Sequence, residues 1–341
     1  VSDPLVVTLN GRLDHIAYDY TDGLDASKNV DKNFSVNSWR AGANYALSST
    51  LDLYGNYSTG FRAPTVSQLF SGTLTPTGGT DGNPDLVPET AINIEFGVRT
   101  KTQLFGAPAE IDATIFQIDR DNYIMSTAGQ YGASTGLLAN RYDNIGGMRN
   151  RGLELAVTGT PSPRLAWDLA YTYLDAKFTK YDNYNLALGS QGYGDVAPTA
   201  DCTDPAFDPS TDWCIESYDL AGYSIPRVPV HHMNLALRFK PDSYWTISGE
   251  VDRQTAFYAD ELNRVTIDPR TTLNLLVNYD RKAGNNTWSY FARIDNVLDL
   301  DYYNNARGND DANGDGVFDN EDISITVNQG RTFTTGLSVN F

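Results

Sequence analysis

Residues Gly330–Phe341 read GRTFTTGLSVNF. In an extended chain Phe333, Leu337, Val339 and Phe341 fall on one face, and Thr332, Thr334, Ser338 and Asn340 on the other. Strand side chains alternate between two faces, so this pattern marks a strand lying between an apolar and a polar environment. The same alternation recurs upstream. RLAWDLAYTY sets Leu165, Trp167, Leu169, Tyr171 and Tyr173 against Ala166, Asp168, Ala170 and Thr172, and AINIEFGVRT sets Ile92, Ile94, Phe96 and Val98 against Asn93, Glu95 and Arg99. HMNLALRFK sets Met233, Leu235, Leu237 and Phe239 against Asn234, Arg238 and Lys240. Twelve strands are expected, near 5–20, 34–48, 50–61, 89–103, 109–125, 140–159, 164–178, 228–240, 243–256, 266–279, 286–300 and 329–341.

Period two fits either a soluble sandwich with its apolar face inside or a barrel with that face toward lipid. The connections decide between them. Short turns (SST, FGAP, TPSP, KPDS, DRKAGN) alternate with long polar loops near 21–33, 62–88, 126–139, 179–227 and 301–328, the loop near 257–265 being the shortest of that set. Short on one side and long on the other is the outer-membrane arrangement. The predicted fold is all-β, a transmembrane antiparallel β-barrel with about 12 strands in the chain. With an even strand number the chain ends on the short-turn side, at the aromatic Phe341.

Composition agrees. The 21 tyrosines, and an aromatic content of 12%, suit strands with interfacial rings. No run of eighteen apolar residues exists, so no transmembrane helix is expected. A formal net charge of −18 argues against nucleic acid as a partner. The three histidines do not form a catalytic or metal set: His231 and His232 are adjacent, so a strand points them to opposite faces. No G-x-S-x-G context accompanies them, and no catalytic residue is assigned.

Two local features predict sites. Asp311, Asn313, Asp315, Val317, Asp319 and Asp322 occupy ligand positions 1, 3, 5, 7, 9 and 12 of an EF-hand loop, with Gly316 at the sharp sixth position. Asp322 stands where a bidentate Glu is usual, and no helices flank the loop. A structural calcium ion is expected there; the alternative is an acidic, solvated loop. Cys202 and Cys214, the two cysteines of the chain, share one polar segment. They read as a local disulfide in an oxidising compartment, against two free thiols as the alternative.

Four blocks resemble TonB-dependent outer-membrane receptors, in order and with matching gaps. They are YSTGFRAPTVSQLF (57–70) with NPDLVPETAINIEFGV (83–98), NIGGMRNRGLELAV (144–157), IPRVPVHHMNLAL (225–237), and RIDNVLDLDYY (293–303) with the terminal GRTFTTGLSVNF. The resemblance covers the chain from about residue 34 onward. It implies TonB-driven import of a scarce large nutrient at the outer membrane, with a ferric siderophore the leading cargo and a corrinoid or glycan as alternatives.

Barrels of this class have about 22 strands and a plug. The chain would therefore be the C-terminal portion, with residues 1–341 contributing only barrel. The plug, the N-terminal strands and the TonB-contacting segment would be supplied elsewhere. Expected partners are outer-membrane lipid, TonB through that N-terminal part, and a small-molecule ligand. A self-closed twelve-stranded barrel, as an enzyme of phospholipase type or a structural or autotransporter pore, is the alternative. On the resemblance, Tyr184, Tyr193, Trp213 and Tyr223 of the longest loop are candidate ligand contacts, or else they pack the loop. Gly146, Gly147 and Gly152 are expected to permit close approach or bulging where strands meet material in the lumen. Arg149, Arg151 and Glu154 are expected to charge the inner wall.

Overall fold

A computed structural model describes residues 4–23, 29–70, 80–131, 138–189, 200–284, 286–308 and 311–340. Phe341 and Tyr193 lie outside them. Twelve long strands form one sheet: β1 (Leu5–Tyr20), β2 (Val30–Ala46), β3 (Leu51–Arg62), β4 (Glu89–Leu104), β5 (Ala107–Asp121), β6 (Gly147–Ser162), β7 (Leu165–Lys180), β8 (His231–Phe239), β9 (Trp245–Gln254), β10 (Arg270–Ala283), β11 (Asn286–Asp295) and β12 (Thr332–Asn340). Sheet order is chain order, and every neighbouring pair is antiparallel. The connections alternate as expected: tight turns at 47–50, 105–106, 163–164, 240–244 and 284–285, and longer crossings at 21–29, 63–88, 122–146, 181–230, 255–269 and 296–331.

Among the described residues β1 and β12 are not paired with each other, so the sheet is open. This corrects the self-closed twelve-stranded alternative. Leu9 and Leu13 on the β1 edge are more than 70% exposed, as is Phe333 on β12.

Two predicted strands enter the main sheet well after their expected starts. The one near 140–159 is cut at Gly146, whose φ of 94° no side-chain-bearing residue adopts readily. Residues 138–144 leave the main sheet and pair with 124–131. The one near 266–279 is cut by Pro269, which lacks an N–H for the ladder. Thr266–Ile267 pairs instead with Phe257–Tyr258, and β10 begins at Arg270.

The outward face carries two levels of rings. Near the tight turns, Trp245 lies 4.7 Å from Tyr279 between ring centroids. Higher up, Trp39 stacks on Tyr57 at 4.6 Å, and Tyr171 and Tyr173 flank His231. Along β7, Trp167 and Tyr173 are separated by six residues, about 20 Å at strand rise. That is the scale of a membrane barrel's apolar band between its girdles. Arg149 and Arg151 share the outward register of Leu153 and Leu155. They pair with Asp119 at 2.5 Å and Asp175 at 2.9 Å, above the apolar residues. Only Glu154 has the inward register, so the expectation for the two arginines is corrected: alternation from Leu153 forces them to the other side.

The inner face is a net of polar contacts. Arg99 Nε donates to Asp112 at 2.6 Å while its guanidinium lies over the Tyr54 ring, and the Tyr54 hydroxyl donates to Asp112 at 2.8 Å. Asn234 donates to Glu250 at 2.6 Å, and His232 contacts Asp252 at 2.7 Å. The two histidines therefore do face opposite sides.

Glycines set the spacing of this wall by pairing directly with rings: Gly55 with Phe96, Gly97 with Tyr54, Gly152 with Phe116, Gly159 with Trp167 and Gly336 with Phe291. A Cβ at Gly97 or Gly159 would meet the opposing ring within 2.4 Å. Gly152 is more constrained, because a Cβ there would lie 2.1 Å from the Tyr173 carbonyl oxygen, which is backbone. Gly152→Ala is expected to destabilise the β6–β7 pair by about 1–3 kcal/mol through overpacking. An unchanged thermal unfolding midpoint would refute this.

Candidate functional site

The outer connections do not stand apart; they share a core. The longest folds back as a hairpin, Tyr184–Gly189 against Trp213–Tyr218, with Gly189 opposite Trp213. Cys202 and Cys214 are disulfide-bonded, Cα–Cα 5.2 Å, as expected from their common segment. Around them pack Ile145, Met148, Phe178, Tyr181, Tyr184, Leu186, Leu188 and Leu220. Leu262 joins from the connection 255–269, and Phe318 from 296–331. Four crossings thus form one cap on the open side of the wall.

A second core anchors the crossing 63–88. Leu69 and Leu86 are fully buried against Phe34 and Ile124. A short helix, Val66–Phe70, presents Leu69. Thr65 caps it, its hydroxyl accepting from the Gln68 N–H at 3.3 Å while Gln68 Oε1 accepts from the Thr65 N–H at 2.9 Å. The turn chemistry expected at Asn83-Pro84-Asp85 is present, with Asn83 Oδ1 accepting from the Asp85 N–H at 3.0 Å. Asn83 Nδ2 also donates to the Tyr142 carbonyl and the Asp143 carboxylate. Two polar anchors were not singled out from sequence: Arg62 and Glu89 form a two-bond ion pair, and Glu89 accepts the Ile124 N–H at 2.7 Å. Their signal was a charge at each strand end flanking a long loop, too common to interpret alone.

The 311–322 loop docks on the long hairpin. The Asp311 carboxylate, 1% exposed, accepts the N–H groups of Gly189 and Gly316 at 2.7 Å, Gly314 at 2.8 Å and Asp315 at 3.1 Å. Those four bonds fill its lone-pair directions. Asp322, also buried, accepts from Ala312, Asn313 and Asp319 N–H groups. Gly316 takes the left-handed φ of 88° that the sixth position requires. Asn313, Asp315, Val317 and Asp319 are not buried. Among the described residues, no three His, Cys, Asp or Glu side chains group as a metal set would.

Of the expected ligand contacts, Tyr184 and Trp213 are 3% and 1% exposed and belong to the cap's interior. Tyr223 is 37% exposed. Tyr193 lies outside the described residues. Tyr181 packs edge-on against Phe178 and Tyr184, at 5.3 and 5.7 Å. Burial, reinforced by the charges of Glu261 and Asp143, pushes its phenol well above the ordinary tyrosine value.

Electrostatically the cap differs from the wall. The six outer connections hold 24 of the 43 acidic residues and 6 of the 25 basic ones, so the whole net charge of −18 belongs to them. The rest of the chain balances to zero. A field concentrated over one opening steers charged solutes and is screened by salt.

Comparison with known proteins places these features. A family profile described as "TonB dependent receptor-like, beta-barrel" matches residues 1–297. The vitamin B12 transporter BtuB of Photobacterium profundum is 29% identical over 162 residues, 45% of this chain and 24% of the relative. The crystal structure of the siderophore receptor PiuA from Acinetobacter baumannii aligns with TM-score 0.66 at 17% identity, covering 98% of this chain and 40% of that one. The ferric citrate transporter FecA in its unliganded form aligns with TM-score 0.66 at 19% identity, covering 99% and 43%. The chain therefore spans less than half the length of each of these proteins.

Proposed function

Because the chain belongs to the TonB-dependent receptor-like β-barrel family, we propose that it forms part of the wall and the outer mouth of a transporter importing a scarce, large nutrient. It is an outer-membrane β-barrel chain. The observation that carries the proposal is the asymmetry of the sheet: five tight turns on one side, and on the other, crossings fused into a cap over a polar inner face. A cargo would meet the cap first and pass inward along the polar wall. Energy would come through TonB and a plug, both contributed from outside these residues.

A ferric siderophore is the proposed cargo, supported by the fold shared with siderophore receptors. A corrinoid is the second reading, supported by identity to a vitamin B12 transporter. The test is uptake of labelled ferric siderophores and cyanocobalamin by cells with and without the full-length gene. Loss of one uptake, repeated when TonB is deleted, is expected. Unchanged uptake of both would overturn the assignment, whereas loss without TonB dependence would overturn the mechanism.

The 311–322 loop is also proposed to take one calcium ion as a structural clasp. Its accessible donors Asn313, Asp315 and Asp319, with the Val317 carbonyl and Asp322, would hold the ion, while Asp311 organises the loop from within. With Asp311 committed to backbone bonds, the affinity expected is that of weak extracellular modules, about 10⁻⁴–10⁻³ M. Chelation should speed hydrogen exchange over 311–322 without unfolding the barrel. Equal exchange with and without calcium would count against the ion.

A further inference from the structure

Glu261 is 1% exposed, and neither carboxylate oxygen has a hydrogen-bond partner in another residue. Its neighbour Asp260 is equally enclosed but satisfied, accepting the N–H groups of Arg264 at 3.1 Å and Val265 at 2.8 Å. The nearest cation to Glu261 is Arg227, whose Nη2 stands 3.7 Å from Oε1, beyond hydrogen-bond reach. Arg307 faces it from the last crossing, Asp260 and its own N–H from its own loop, and Tyr181 from the base of the longest crossing. The Tyr181 hydroxyl is itself buried without a hydrogen-bond partner, and Asp143 acts on it as a further charge.

Glu261 sits beside the contacts that hold the crossing 255–269 to the crossing 181–230. Asn263 exchanges two bonds with the Ser224 backbone, at 2.8 and 2.9 Å. The Arg227 N–H donates to the Tyr258 carbonyl at 2.8 Å. Leu262 enters the shared core. An ionised carboxylate enclosed here without hydrogen bonds costs far more than a protonated one.

We propose that Glu261 is a proton-operated latch of the outer cap: protonated, it lets the crossing 255–269 close on 181–230, and ionised, it releases that contact. The proton comes from the external medium and returns to it. Burial raises the affinity of Glu261 for its proton; Arg227 and Arg307 oppose this and are outweighed. Above the ordinary glutamate value of about 4.3, and up to the raised value in the cap, the closed state holds more protons than the open one. Closure therefore weakens as pH rises through that window. The latch rests on cap packing alone and not on the identity of the cargo.

The test is hydrogen exchange of the full-length protein in detergent, followed from pH 5 to pH 8 and corrected for intrinsic rates, over peptides covering 221–230 and 255–269. Protection is expected to fall with rising pH, about tenfold for each unit by which the acid is raised. Glu261→Gln should keep high protection at both ends of the range. Arg227→Gln removes an opposing cation, so its opening midpoint should move to higher pH. This second variant reports on the latch even where the first folds poorly. A wild-type profile flat in pH, the same transition retained in Glu261→Gln, or an unmoved midpoint in Arg227→Gln would each overturn the proposal. A transition retained in Glu261→Gln would assign it instead to another group.

Discussion

Asp311→Ala is expected to detach the 311–322 loop from the long hairpin and to loosen the cap as a whole. The reason is the number of backbone donors that depend on one enclosed carboxylate. Three lie in its own loop and the fourth, Gly189, on the neighbouring crossing. Alanine leaves the Gly189, Gly314 and Gly316 N–H groups without this acceptor, while Asp315 N–H keeps Asn313 Oδ1 at 3.0 Å, at a cost of about 3–5 kcal/mol. Exchange over 184–189 and 311–322 should rise at least about a hundredfold. Asp315→Ala is the control: that carboxylate is exposed, accepts one backbone N–H, from Val317 at 2.8 Å, and should cost about 1 kcal/mol or less. Similar effects from the two variants would show that the acidity of the loop, and not the buried acceptor, matters.

Removing the disulfide is the second large effect. Replacing Cys202 and Cys214 by serine frees a segment whose ends are 12 residues apart, worth about 3 kcal/mol in the chain-entropy account. Cys214 is fully buried beside Leu188 and Tyr184, so the serine hydroxyl also enters an apolar core. The expected result is selective proteolysis within 200–230, with the barrel strands still protected. Reducing agent on the unmodified protein should reproduce it. Full resistance to protease in the double variant would mean that the core alone holds the segment.

The barrel strands were legible because a membrane wall obliges each residue to choose between two solvents, and the choice is written at every second position. Where that obligation ends, reading fails. The hairpin 184–189/213–218 and the strands at 124–131, 138–144, 303–307 and 324–327 pair outside the main sheet, in the outer connections. Their alternation carries no consistent signal. The spacing from Asp311 to Asp322 was legible as a loop of defined shape, and its Gly316 behaves as that shape demands. The direction in which Asp311 points was not, because Gly189 is 122 residues away in the chain. Glu261 looked like one acid among many until burial on all sides set it apart.

The order of strands in the sheet has a consequence for assembly. Five hairpins, β2–β3, β4–β5, β6–β7, β8–β9 and β10–β11, close over turns of two to five residues. Closing them costs little chain entropy, so they should register first. Joining one hairpin to the next means closing crossings of up to 50 residues, from 181 to 230, which is slower. The cap needs four such crossings in place and comes last.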